Sequence, residues 1–187
     1  MAVTGILGGI VVLAVIIFVW AISVYNRLIK LRNLKEEGWS GIDVQLKRRH
    51  DLIGNLVNTV KGYMQHERGV LEDITRMRSS AQQAGGVAAV AAAESGLSQA
   101  LGRLFALMEN YPALRASENA MQLQESLSKL ENDLQMARRY YNGTVRDFNI
   151  LIQSFPSNIV AGRFGFKEGE FFELDNMAER ALPQVSF

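Results

Sequence analysis

The chain has 187 residues, 48% of them apolar, a formal net charge of +1 and no cysteine. That balance excludes bulk electrostatic attraction to nucleic acid, and the missing thiols exclude disulfides, a cysteine nucleophile and a cysteine zinc site. Only three prolines accompany abundant Leu, Ala, Gln, Glu and Arg, a composition that favours long helices.

The first element is the run Thr4–Ile22, TGILGGIVVLAVIIFVWAI, with no charged side chain before Arg27. A bilayer core of ~30 Å needs about 20 apolar residues, so this run reads as a transmembrane helix. A buried core helix would carry a polar face, and a cleaved signal peptide would carry a basic start and a small-residue cleavage site. Neither is evident. We expect residues 1–26 to form an uncleaved single-span anchor, and residues 27–187 a helical domain with a Phe-rich tail over 156–187. Arg27, Lys30, Arg32 and Lys35 follow the span without an intervening acid. The positive-inside rule then puts the N-terminus outside and the bundle in the cytoplasm.

From Tyr25 to about Arg78 the apolar residues keep helical phase: Leu28, Leu31, Trp39, Ile42, Leu46, Ile53, Val57, Val60, Met64, Leu71, Ile74. Leu52, Leu56, Tyr63, Val70 and Met77 widen that face beyond what one partner helix covers. Arg49 and Glu67 interrupt it, as polar seam residues that fix register do. Gly38 and Gly41 each cost roughly 1 kcal/mol against alanine in a helix and could mark a turn. The phase survives them, so one helix to near Arg78 is expected.

Ser79–Ser95 reads as a connection with a partial helix, broken at Gly85–Gly86. Leu97, Leu101, Leu104, Phe105 and Met108 give a short helix ended by Tyr111–Pro112. A long helix follows from an N-cap at Ser117 to about Gln153, with the stripe Ala120, Leu123, Leu127, Leu130, Leu134, Ala137, Tyr141, Val145, Phe148, Ile152. Two successive steps of four at Tyr141 form a stutter that relaxes supercoiling. Neither long stripe can face water, so the fold class is all-α: an N-terminal transmembrane helix, then an antiparallel long-helix bundle. Five of the nine phenylalanines fall in the last 24 residues, where the tail is expected to fold back over an apolar seam. Asn176–Leu182 could add a short helix.

Catalytic chemistry has little support. His50 and His66 are sixteen apart on one predicted helix, about 160° around its axis, and cannot share a metal. They read as solvated or structural. No HExxH, CxxC, P-loop or Glu-x-x-His is present. Glu36–Glu37, Glu72–Asp73, Glu168 and Glu170 read as solvated. No enzyme activity, cofactor or metal is expected. The interaction candidates are Gly5 and Gly9, a G-x-x-x-G that lets spans approach closely; Lys47, Arg48 and Arg49, a solvated basic face or a site for anionic partners and lipid headgroups; and Leu52, Leu56 and Tyr63 on the widened face.

The stretches YNRLIKLRN, WSGIDVQLKRRHDLI, NLVNTVKGYMQHE, LGRLFALMENYPALRASENAMQLQESLSKLEN, RRYYNGTVRDFNILIQSFPSNIVAGRFGF and PQVSF resemble the LemA family of bacterial membrane proteins. Gly54 departs from that family's usual proline, and Ala120 from a large aromatic. The resemblance implies a single span and a helical bundle, and supplies no catalytic residues. It includes relatives associated with magnetosome membrane formation, which implies a membrane-organising role. Two functions follow as expectations. One is a self-associating, non-enzymatic homo-oligomeric scaffold that organises or shapes the lipid bilayer. The other is an anchored adaptor that offers a helical surface to a membrane protease or signalling protein.

Overall fold

The computed structural model describes residues 2–173, with the side chains of residues 2–5 outside that description. Six α-helices are present among the described residues: α1 (Ala2–Val60), α2 (Arg68–Gln83), α3 (Val87–Met108), α4 (Pro112–Arg115), α5 (Glu118–Gln153) and α6 (Ser157–Arg163). No strand occurs among them. The expected helix at Asn176–Leu182, Phe187 and the closing PQVSF lie outside the described residues.

α1 carries the span and enters the helical body without a backbone break at residue 26. An 18-residue window of it has a mean hydropathy of 2.8, and none of that window is buried among the described residues. The helix also passes unbroken through Gly38 and Gly41. Gly38 is there for proximity: a Cβ on it would lie 3.2 Å from Tyr141 Cα and 3.3 Å from the Tyr140 ring. Burial of large apolar side chains, at ~1.5–3 kcal/mol each, outweighs the roughly 1 kcal/mol of lost helix propensity.

The chain forms two compact units, Met1–Ser40 with Tyr140–Glu170, and Gly41–Arg139 with the chain from Phe171. In the first, α1 and α5 run antiparallel: Lys35 Nζ lies over the Phe148 ring and Trp39 packs on Tyr141. Its core is Val24, Leu28, Phe148, Val160 and Ala161. Tyr25 meets Phe164 and Phe166 at 4.7 and 5.8 Å between ring centroids, so the start of the Phe-rich segment covers part of this unit's seam. The buried Tyr141 hydroxyl donates to the Glu170 carbonyl at 2.9 Å, and Asn149 exchanges two hydrogen bonds with the Gly169 backbone. In the second unit, α1 to α5 all contribute to one core that includes Ile53, Leu56, Ile74, Leu97, Leu114 and Leu127.

Three expected boundaries change. The first long helix stops at Val60, whose carbonyl accepts from both Tyr63 and Met64 at 3.0 Å. A 3-10 turn at Gln65–Glu67 leads into α2. Periodicity misses this break because Met64, Leu71 and Ile74 are buried in the same core as Val60, which preserves the phase across two helices. The expected connection over Ser79–Ser95 shrinks to Ala84–Gly86, where Gly86 takes a positive φ of 83°. α3 starts ten residues before Leu97, because its alanines are strong helix formers and Val90 and Ala91 bury well. The Phe-rich tail expected over 156–187 opens with a helix not anticipated there, α6, which buries Ser157, Val160 and Ala161.

Ser117 caps α5 as expected, its hydroxyl accepting from the Ala120 N–H at 3.4 Å. Ala120 is fully buried. Gly54 sits against the Arg78 guanidinium, which a Cβ there would meet at 3.2 Å.

Candidate functional site

The densest polar chemistry lies inside the second unit, on α1, α3 and α5. Arg49 interrupts the apolar stripe of α1 because it faces a buried acid. Its Nη1 donates to Glu94 Oε2 at 2.5 Å, and its Nη2 donates to Ser98 Oγ at 2.7 Å and approaches Glu131 Oε2 at 3.3 Å. His50 Nε2 lies 2.6 Å from the other Glu94 oxygen, which makes it the donor to an ionised carboxylate. Glu94 has no exposed surface. Burial alone would raise its pKa; the His50 hydrogen bond and the Arg49 charge outweigh burial and hold it below the ordinary carboxylate value.

Arg138, on α5, extends the cluster toward Glu131 at 3.8 Å and lies 5.0 Å over the Phe172 ring. Burial pulls its guanidinium below the usual value, with Glu131 opposing that shift. Its Nε and Nη2 are buried without hydrogen-bond partners among the described residues. An open groove of about 520 Å³ between α3 and α5 reaches the edge of the cluster at Arg49 and Glu131. No group of three or more His, Cys, Asp or Glu among the described residues is placed to hold a metal ion. Glu94 is fully buried and doubly engaged by α1, and Arg49 carries the network on to Glu131 of α5.

The predicted interaction residues separate. Gly9 is exposed on α1 with open space around it, while the surroundings of Gly5 lie outside the description. Lys47 and Arg48 are exposed, but Arg49 and His50 are buried. The four consecutive residues therefore do not form one solvated face, since a 3.6-residue turn must point some of them inward. Leu56 is fully buried and Leu52 packs against the same core. The widened face is thus largely covered within the chain, and only Tyr63 stands well out at 48% exposure. His66 is exposed, as are Glu36, Glu37, Glu72, Asp73, Glu168 and Glu170. Sequence reasoning missed Glu94, which sits in phase with Leu97, Leu101, Leu104 and Met108 on α3. That spacing was the available signal.

A second feature is an open groove of about 700 Å³ beside the end of α1 and α2, lined in part by Val57, Met64, Leu71 and Thr75.

The class is set by these features: an all-helical protein with one segment long and apolar enough to cross a membrane. The model of the LemA family matches residues 38–187, and the chain belongs to that family. It is similar to magnetosome protein MamQ 2 of Paramagnetospirillum magneticum, 26% identical over 189 residues that cover 87% of this chain and 70% of that protein. It is also similar to magnetosome protein MamQ of Magnetospirillum gryphiswaldense, 24% identical over 86% of this chain and 69% of that one. Protein LemA of Metamycoplasma hominis is 26% identical over 149 residues, 79% of this chain and 68% of that protein.

Proposed function

We propose that the chain is a non-enzymatic scaffold of the inner membrane: α1 spans once, the N-terminus lies outside, the helical body lies in the cytoplasm, and copies associate side by side to organise or shape the bilayer. The observation that carries this reading is the uncovered span, since no part of its apolar window is buried by the other described residues. Gly9 offers a small-residue face on that span. Anchoring in one orientation raises the effective concentration of neighbouring copies. Relatives named as magnetosome proteins fit a membrane role. The basic residues Arg27–Lys35 support the orientation.

Native mass analysis of full-length protein in mild detergent and in lipid tests the association. Homo-oligomers weakened by Gly5→Leu with Gly9→Leu are expected, and a monomer in both media overturns it. An impermeant thiol reagent applied to whole cells should label Thr4→Cys and spare Lys129→Cys; the reverse overturns the orientation. The groove beside α2 favours a second reading, an adaptor for a protein partner. Under that reading the purified protein is monomeric.

A further inference from the structure

Outside the span, the three most exposed large apolar side chains among the described residues are Phe155 at 81%, Ile159 at 63% and Phe164 at 60%. All three belong to the first unit, the one that contains the span. Exposed apolar side chains clustered this way mark an interaction surface.

Their level along α1 follows from register. Gly38 faces Tyr141. Fourteen residues back from Gly38 is Val24, and fourteen residues on from Tyr141 is Phe155. Packing agrees, because Val160 and Ala161 of α6 share a core with Val24 and with Ala21. Val24 is two residues, about 3 Å of helix, beyond Ile22, where the apolar run ends. The turn after α5 and α6 therefore lie where α1 leaves the hydrocarbon.

Their exposure is built in. The Ser157 hydroxyl, buried, lies 2.7 Å from the Leu151 carbonyl and 2.9 Å from the Ser154 carbonyl. With Val160 and Ala161 inward, α6 presents Ile159 outward. Phe164 packs its ring against Tyr25. The charges within the two flanking stretches of sequence are of one sign. No acid occurs from Ile22 to Lys35 or from Phe148 to Lys167, while Arg27, Lys30, Arg163 and Lys167 are exposed.

We propose that Phe155 and Ile159 form a second membrane contact, inserting into the interfacial layer of the same bilayer that α1 spans, with Arg27, Lys30 and Arg163 facing anionic headgroups. Apolar side chains flanked by basic ones bind that layer through buried area plus attraction to acidic lipid. The contact fixes the tilt and rotation of the first unit relative to the bilayer. The inference rests on reading the start of α1 as a span.

The test uses full-length protein in vesicles of phosphatidylcholine with and without phosphatidylglycerol. The chain has no native cysteine, so a single environment-sensitive fluorophore can be placed at Phe18→Cys, Phe155→Cys, Ile159→Cys or Arg146→Cys. Quenching by shallow-labelled lipid is expected at Phe155 and Ile159, more strongly with phosphatidylglycerol. Deep-labelled lipid should quench at Phe18, and only aqueous iodide at Arg146. If Phe18 is not quenched by lipid, the span reading itself fails. If Phe18 is quenched by lipid while Phe155 and Ile159 respond to iodide alone, the inference is overturned and the span stands. Protection of Phe155 and Ile159 from both quenchers would identify a protein contact, such as a second copy, and would also overturn it.

Discussion

In the first unit α1 meets its partners through Leu28, Trp39 and the close approach at Gly38. In the second it buries Arg49 and His50 against Glu94. The first contact is apolar and aromatic, with Lys35 and Arg32 laid over the rings of Phe148 and Phe166 rather than enclosed. Its specificity comes from shape, since Tyr141 fits where Gly38 has no side chain. The second joins three helices by charge. A buried ion pair adds little net stability over an apolar replacement, but losing one partner strands a charge in the core. The apolar contact should therefore tolerate change in proportion to the volume lost. The ionic contact should fail sharply on single substitutions and recover on paired ones.

The sharpest test is Glu94→Ala, expected to lower the unfolding free energy of the detergent-solubilised chain by about 3–5 kcal/mol, because Arg49 and His50 lose their buried carboxylate and only the half-buried Glu131 remains beside Arg49. Denaturant titration reads this. Pairing Glu94→Leu with Arg49→Met should recover most of the loss, and a double variant as unstable as the sum of its singles would show that the two sites are not coupled. In the first unit, Leu28→Ala should cost about 2–5 kcal/mol, set by cavity volume. Loss within the surface range of about 0.5 kcal/mol would mean that the apolar seam there is not packed.

These two sites differ in how far the sequence exposes them. Leu28, Ile53, Leu130 and Phe148 sit at helical spacing, and the all-helical fold and the α1–α5 pairing follow from that rhythm. The break at Val60 was hidden because both sides of it feed one core. α3 was foreshortened because alanine gives no large apolar signal even when Val90 and Ala91 pack inward. Glu94 is the least legible of these residues. A carboxylate looks solvated until its partners are known, and Arg49 and His50 lie 45 and 44 residues away on another helix. Arg49 was visible as an interruption of a stripe; what it answered was not.

Acid gives a smaller effect confined to the ionic unit. The Glu94 carboxyl titrates lower in the folded chain than in the unfolded chain. Its contribution is complete above the ordinary carboxylate value of ~4.3 and is lost as pH falls through the lower folded value. Stability measured between neutral pH and strong acid should therefore drop more steeply in the native chain than in the Glu94→Leu, Arg49→Met pair. Parallel curves would assign the acid sensitivity to other carboxylates.

The smallest expected effect separates neighbours in one basic run. Lys47 and Arg48 are exposed, and Arg49 is enclosed. An exposed charge loses little on truncation, because water already screens it and no buried partner is stranded. Lys47→Ala and Arg48→Ala should each stay within about 0.5 kcal/mol of the parent, whereas Arg49→Ala leaves Glu94 with only His50 and should approach the loss seen for Glu94→Ala. The three substitutions remove similar charge from adjacent positions, so a general electrostatic role for the run predicts three similar losses. Equal losses would discard the division of this segment into an inner and an outer face. A large loss at Arg49 alone would place the stabilising charge inside the unit and leave Lys47 and Arg48 available for an anionic partner at no cost to the fold.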